Sequence, residues 1–146
     1  MKIRSAIILI EDNKLALIER YRSDRHYFSF PGGGIDKGES PQEAAIREAE
    51  EELGIQVEIK QKVAIVVLWE KTQHYFLAEK ISGEFGTGTG EEYEEYNPVH
   101  GTYHPIWMPL EDVLTNNVLP REVADLVVRF AKEGWPVEPT IIIEKS

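Results

Sequence analysis

The sequence predicts an α/β domain in which a mixed β-sheet carries two helices. Apolar, β-rich segments stand on both sides of one strongly marked helix, and a second helical segment follows near the end of the chain. Of the 146 residues, 42% are hydrophobic, which is enough for an ordinary core. Neither a repeat nor a linker interrupts the pattern, so residues 1–146 are expected to form a single domain.

The strands are predicted from apolar runs bounded by turn residues. Residues 3–10 and 15–20 flank a polar turn and form a hairpin, 21–26 is interpreted as a loop, and 27–30 as a short strand. The three glycines after Pro31 are expected to lack regular structure. Further strands are predicted over residues 57–69, 74–81, 104–108 and, at an edge of the sheet, 141–143.

The first helix has clear start and stop signals. Ser40 can serve as the N-cap, Pro41 fits the first helical position, and Glu43 completes a capping box. The helix is expected to run to about residue 53, where Gly54 can end it in a left-handed conformation. A second helix is predicted over residues 121–132, and residues 82–102 form a long loop of a kind that is often functional.

The composition excludes several classes of function. Without cysteine, the chain has no disulfide, no thiolate metal site and no cysteine nucleophile. A net charge of −10 would repel a nucleic-acid backbone, so nucleic acid is not an expected partner. The apolar runs are too short to cross a bilayer. No membrane partner is therefore expected. The amino terminus shows no signal peptide, so a cytoplasmic location is expected; a homodimer is left open.

Residues 33–55 carry the chemistry. They read Gly33, five residues, Glu39, seven residues, then Arg-Glu-Ala-Glu-Glu-Glu-Leu-Gly-Ile over residues 47–55. This run matches the Nudix box, Gly-x5-Glu-x7-Arg-Glu-U-x-Glu-Glu-x-Gly-U with U apolar, at all nine defined positions, which is far more specific than a lone glycine motif. The chain thus resembles the MutT-like Nudix hydrolases. The resemblance implies a Nudix-like α/β/α sandwich with a mixed β-sheet.

The helix geometry agrees with the resemblance. At about 100° per residue, one apolar stripe is formed by Ala45, Ile46, Ala49 and Leu53. Glu48, Glu51 and Glu52 lie within one turn of one another beside this stripe, whereas Glu50 points the other way. Like charges at this spacing repel. A cation is therefore expected among them, and hard oxygen ligands favour Mg²⁺ or Mn²⁺; a solvated glutamate-rich helix is the alternative.

The family resemblance implies the roles of individual residues. By position, the metal ligands are Glu48, Glu51, Glu52 and the carbonyl of Gly32, with Glu51 and Glu52 also counted as catalytic. Arg47 orients the carboxylates. It can pair with Glu43 or Glu51, each four residues away, and Glu39 supports it or the loop. Gly33 and Gly34 allow the backbone to turn sharply and approach the substrate.

Two further groups of charged residues are candidates for the site. In relatives, a glutamate in a loop at this distance after the box binds a further metal or acts as the base. The acidic run here offers Glu91 and Glu92 first, then Glu94 and Glu95, and a solvated acidic loop is the alternative. The other group could neutralise substrate phosphates, or form an ordinary basic loop, and comprises Arg20, Arg22 and Arg25.

Together these features predict a metal-dependent diphosphatase acting on a nucleoside diphosphate derivative. A nucleoside triphosphate, normal or modified, is the leading substrate. Water is expected to attack phosphorus directly, because no cysteine and no serine in a Gly-x-Ser-x-Gly setting offers a nucleophile. The alternatives are a catalytically silent Nudix-fold nucleotide-binding or sensor domain and an acidic interaction module. Silent domains often lose box glutamates, and this chain keeps them.

Overall fold

The computed structural model describes residues 2–88 and 101–143. Its strands form one mixed sheet in the order β8-β3-β2-β1-β6-β5-β9, with β4 paired to β1 and β7 paired to β2. The strands are β1 (Lys2–Glu11), β2 (Lys14–Arg22), β3 (Arg25–Ser29), β4 (Gly32–Gly34), β5 (Ile55–Leu68), β6 (Lys71–Gly83), β7 (His104–Pro109), β8 (Val118–Leu119) and β9 (Thr140–Ile143). The helices are α1 (Pro41–Leu53), α2 (Arg121–Glu133) and a short 3₁₀ helix (Leu110–Thr115).

Strand β1 lies at the centre of the sheet and is covered on both faces. It pairs antiparallel with β2 and β4 and parallel with β6. Because side chains alternate along a strand, Ile7 packs in the core beneath α1, while Ala6 and Ile8 pack in the core beneath α2. This arrangement explains the unbroken apolar run of β1 and confirms the predicted α/β/α sandwich with a mixed sheet.

Helix α1 begins and ends where its sequence signals predict. The Ser40 hydroxyl accepts a hydrogen bond from the Glu43 N–H at 3.1 Å, and the Glu43 carboxylate accepts one from the Ser40 N–H at 2.8 Å. Gly54 ends the helix in the left-handed conformation, with φ of 77°. Three of the four residues of the predicted apolar stripe, Ala45, Ala49 and Leu53, expose at most 1% of their surface, and Ile46 is half-buried against the same core. The helix is thereby fixed in rotation against the sheet.

Two predictions about the segment before α1 are wrong. Residues 21–26 are not a loop, because β2 continues to Arg22 and β3 begins at Arg25, leaving only a tight turn between them. The glycine run is not irregular either: Gly32–Gly34 forms β4, antiparallel to β1. Glycine has no strand preference of its own, so the pairing with β1 decides the conformation.

In other places the structure has longer strands than the sequence predicts, or short elements that the sequence does not predict. Strands β5 and β6 pair along nearly their whole length, from Ile55 opposite Gly83 to Leu68 opposite Lys71, and are longer than their apolar cores predict. The 3₁₀ helix and the short strand β8 were not predicted from the sequence. Within the described residues, no helix is both long and apolar enough to cross a membrane.

Candidate functional site

A cleft of about 540 Å³ opens beside the glycine strand β4. Its walls come from β1, β2, β3, β4, β6, β8 and α1. The charged side chains that line it are two glutamates, Glu48 and Glu52, and four cations, Arg4, Arg20, Arg22 and Lys71. The cleft therefore brings carboxylates and cations together in a chain whose overall charge is −10.

The two cleft glutamates are buried. Glu48 exposes 9% of its surface and Glu52 exposes 5%. Among the described residues, these two are the buried residues that carry a charge. Each carboxylate is hydrogen bonded through Oε1: Glu52 accepts from the main-chain N–H of Gly32 at 2.9 Å, and Glu48 accepts from Arg47 Nη1 at 2.8 Å. Buried carboxylates need such partners, because desolvation disfavours their charged form.

Arg47 ties the helix to the loop that precedes it. Its Nε and Nη2 donate to the two carboxylate oxygens of Glu39 at 2.8 and 3.0 Å. Its Nη1 donates to Glu48 at 2.8 Å and to Glu51 at 3.2 Å, and Nη2 also donates to the Gly34 carbonyl at 2.8 Å. A planar guanidinium is suited to this many simultaneous bonds. The predicted pair with Glu51 is confirmed.

The structure also shows the contacts of the two other glutamates predicted to belong to this network, Glu43 and Glu39. Glu43, the second predicted partner of Arg47, instead closes the capping box with Ser40. Glu39 pairs with both of its predicted partners, since its Oε1 also accepts from the main-chain N–H of Asp36 at 2.9 Å. The hydrogen bonds from Arg47 and from that N–H hold the pKa of Glu39 below its ordinary value.

Strand β4 consists of glycine because there is no room for side chains at two of its positions. A Cβ at Gly33 would overlap the carboxylate of Glu48, and a Cβ at Gly32 would overlap the backbone of β1. Gly32 donates its N–H toward α1, and the N–H and C=O of one residue in a strand point the same way. The Gly32 carbonyl therefore faces the α1 glutamates, as a metal-ligating carbonyl would need to do.

The predicted convergence of three glutamates is only partly what the structure shows. Glu48 and Glu52 line the cleft, but Glu51 does not, and its side chain is 43% exposed. As the side chains stand, no three His, Asp or Glu residues within residues 2–88 and 101–143 form a group that could hold a metal ion. Instead of a cation, Arg47 Nη1 bridges Glu48 and Glu51, and the Gly32 N–H bonds to Glu52, so hydrogen bonds relieve the repulsion of the carboxylates.

The three candidate arginines fall into two groups. Arg20 and Arg22 line the cleft, because alternate residues of β2 face the same side. Arg20 donates from Nε to the Thr102 carbonyl at 2.9 Å, and its guanidinium lies 3.7 Å from the ring centroid of Tyr103. Arg25 is not part of the cleft lining and lies over the Tyr27 ring at 4.9 Å.

The glycines predicted to contact the substrate are also divided. Gly33 lines the cleft together with Gly32, whereas Gly34 does not.

Among the charged and amide side chains of the cleft, sequence reasoning missed Arg4, Lys71 and Gln73. They lie far from the Nudix box in sequence, and only the pairing of β1 with β6 brings them beside it. Their alternation, Lys71-Thr72-Gln73-His74-Tyr75, was the available signal that they share one face of a strand. The acidic candidates Glu91, Glu92, Glu94 and Glu95 lie outside the described residues.

Comparison with known proteins identifies the family. A model of the NUDIX domain matches residues 1–127. The chain belongs to the NUDIX domain family. This NUDIX chain is 35% identical over 88 residues to the 8-oxo-dGTP diphosphatase of Escherichia coli K12, covering 58% of this chain and 56% of that protein. It is also 27% identical over 165 aligned positions to the RNA pyrophosphohydrolase of Aeromonas hydrophila, covering 96% and 88% of the two chains.

The fold of this NUDIX chain agrees with solved structures. The crystal structure of a NUDIX hydrolase from Nitrosomonas europaea superposes with a TM-score of 0.74 at 22% identity, covering 98% of this chain and 79% of that one. The family and fold predicted from the sequence are thus confirmed, and the relatives' names agree with the predicted class of enzyme. The cytoplasmic location, the dependence on a metal and the choice of Mg²⁺ or Mn²⁺ stay predictions, and a homodimer stays open.

Proposed function

We propose that this NUDIX domain hydrolyses the diphosphate linkage of a nucleoside diphosphate derivative, with a nucleoside triphosphate, normal or modified, as the leading substrate. The observation that carries the proposal is the lining of one cleft by two buried glutamates together with Arg20 and Arg22. Carboxylates suit a divalent cation and guanidinium groups suit phosphates. A diphosphate that lies between the two groups would contact a cation held by the carboxylates on one side and the guanidinium groups on the other.

The residues present fit Mg²⁺ or Mn²⁺. The cleft offers carboxylate oxygens of Glu48 and Glu52 and the inward-facing carbonyl of Gly32, a set of hard oxygen donors. Glu51, one turn from Glu48 and bonded to the same Arg47 nitrogen, is a further candidate donor. Because Gly33 has no Cβ, the Glu48 carboxylate has room beside β4 to act as a ligand. A divalent ion, when bound, neutralises charge on phosphate oxygens and makes water a better nucleophile.

The chain's own residues have distinct roles in this proposal. Arg20 and Arg22 hold the phosphates, and Arg47 positions Glu48 and Glu51 while Glu39 fixes Arg47. Water attacks one phosphorus, the new P–O bond forms as the bridging P–O bond breaks, and the proton of the water passes to a carboxylate.

The proton acceptor and the remaining candidates can be ranked. Glu52 is the first candidate for the acceptor because it is the most deeply buried carboxylate of the cleft, and Glu51 is the second. Glu91 and Glu92 of the acidic run, which lies outside the described residues, are retained as candidates. Arg25, outside the cleft lining, is given no role. The names of the relatives, a diphosphatase of 8-oxo-dGTP and a pyrophosphohydrolase of RNA, support this class of reaction.

The test is a phosphate-release assay with a panel of nucleoside triphosphates, nucleotide sugars and dinucleotides. Each substrate is assayed with Mg²⁺, with Mn²⁺ and with a chelator. Metal-dependent release that is strongest for a triphosphate supports the proposal. If nucleotides bind in an equilibrium assay but none is turned over with either metal, the chain is a silent binding domain and the proposal is wrong.

A further inference from the structure

The floor of the cleft carries a second group of cations, away from the arginines of β2. Strands β1 and β6 run parallel, and residues paired across them share a face of the sheet. Arg4, Lys71, Gln73 and Tyr75 all line the cleft. The register that places them on one face pairs Lys2 with Lys71, Arg4 with Gln73, and Ala6 with Tyr75.

This group lies beside the glycine strand, displaced along β1 from the buried glutamates. Gly32, which is hydrogen bonded to Glu52, is paired with Ala6, and Arg4 is two residues farther along β1, opposite Gly34. Two residues of a strand span roughly 6.6 Å. A chain of phosphates that begins at the glutamates could therefore extend along the floor toward Arg4 and then Lys71.

The group is a concentration of positive charge whose two cations form no ion pair among the described residues. Lys71 is half-buried, and it lies directly opposite Lys2 and near Arg4. Burial lowers the pKa of Lys71, and the charges of Arg4 and Lys2 lower it further. Within residues 2–88 and 101–143, neither Arg4 nor Lys71 forms an ion pair with a carboxylate. Like charges held directly opposite each other destabilise a sheet, and a bound anion would offset that cost.

We propose that Arg4 and Lys71 form an anion-binding subsite for the phosphates that lie beyond the hydrolysed linkage. Gln73, directly opposite Arg4 and two residues from Lys71 on the same face, can donate its amide N–H groups to the same oxygens. This inference rests on the proposed function and narrows its substrate class. The subsite favours a run of three phosphates, as in a nucleoside triphosphate, over a diphosphate that ends in an uncharged sugar.

Two substitutions, Arg4→Gln and Lys71→Gln, test the subsite. Each is expected to raise the KM for a nucleoside triphosphate by about tenfold or more, because a charge-assisted contact to phosphate is lost, while kcat changes by less than about twofold. The KM for a nucleotide sugar should change by less than about twofold. The matched control is Lys80→Gln, an exposed position of the same strand outside the cleft lining, which should leave both constants unchanged.

A second measurement needs no turnover. Binding of inorganic tripolyphosphate is followed by calorimetry in the presence of a chelator, and the affinity should fall by about tenfold in Arg4→Gln and Lys71→Gln but not in Lys80→Gln. Thermal melting shows whether the variants fold. Lys71→Gln is expected to melt no lower than the wild type, because it removes the repulsion from Arg4 and Lys2.

The outcomes separate this inference from the proposed function. If triphosphates are hydrolysed but both cleft variants behave like Lys80→Gln in KM and in tripolyphosphate affinity, the subsite is wrong and the function stands. If no nucleotide is hydrolysed but tripolyphosphate binding still depends on Arg4 and Lys71, the subsite stands without the function. A loss of activity that is equal for triphosphates and nucleotide sugars would also overturn the subsite.

Discussion

The main-chain N–H of Gly32 donates a hydrogen bond to Oε1 of Glu52 at 2.9 Å. This bond joins the glycine strand β4 to the last turn of α1, twenty residues later in the chain. Because β4 is itself fixed by its pairing with β1, the orientation of Glu52 is set by the sheet as well as by its helix. The position of the buried carboxylate in the cleft therefore depends on three elements at once.

Glu52→Gln should abolish most of the activity and leave the fold intact. The amide oxygen can still accept the hydrogen bond from Gly32, while the negative charge for the cation or the proton is lost. We expect kcat to fall by about 10²-fold or more, with a melting temperature close to that of the wild type. Glu50→Gln is the matched control, since Glu50 lies on the same helix, is exposed and bonds to Gln56. Near-normal turnover of Glu52→Gln at saturating substrate and Mg²⁺ would refute the site.

The glycines of β4 offer a paired test of the same geometry. In Gly33→Ala the new Cβ would displace the Glu48 carboxylate, which lies at the end of a flexible side chain and can move. We expect a large loss of activity with a change in unfolding free energy of no more than about 1 kcal/mol. In Gly34→Ala the Cβ would meet no described atom within 4 Å, so the rate should stay near that of the wild type. Equal rates in the two variants would show that Glu48 needs no fixed position.

The Glu39–Arg47 pair makes the stability dependent on pH in the acid range. Its hydrogen bonds lower the pKa of Glu39 in the folded state from the ordinary value of 4.5. The pair therefore stabilises the protein fully above about pH 4.5, and the contribution is lost as the pH falls through the lowered pKa. Glu39→Gln lacks this contribution. Urea unfolding from pH 3 to 7 should show the wild type more stable than Glu39→Gln near neutrality, with the difference vanishing in acid; a difference that does not vary with pH would contradict this assignment.

The elements that the sequence predicts best are those whose signals are local. Ser40, Pro41 and Glu43 define the start of α1, and Gly54 defines its end, so both boundaries agree with the structure. The burial of the apolar stripe follows from the same periodicity. Two box glutamates, Glu48 and Glu52, lie at the border of that stripe, and the structure buries them both in the cleft wall.

The features that were missed depend on contacts distant in sequence. Gly32–Gly34 becomes a strand only because β1 is beside it. Arg4 and Lys71 share the cleft floor only because the register of β1 and β6 places them there. The pattern predicts that Glu51 converges with Glu48 and Glu52, but Glu51 stays 43% exposed and outside the cleft lining, bonded to Arg47. These contacts join segments that are distant in sequence, so the residue pattern of one segment alone cannot predict them.

The proposed chemistry requires that Glu48 and Glu52 hold a divalent ion in the cleft. An ion that binds only the folded state must stabilise it, by about 2.7 kcal/mol at a hundredfold excess over its dissociation constant. For a domain of this size that corresponds to a rise in melting temperature of about 5 °C or more. The stabilisation should shrink in Glu52→Gln, because one ligand charge is missing.

The most direct measurement is thermal melting of the wild type and Glu52→Gln in Mg²⁺ or Mn²⁺, against a monovalent salt at the same ionic strength that controls for screening. We expect a clear rise in the melting temperature of the wild type above the salt control and a smaller rise for Glu52→Gln. If neither metal raises the melting temperature of the wild type above the salt control, with or without nucleotide, the cleft does not hold a divalent ion.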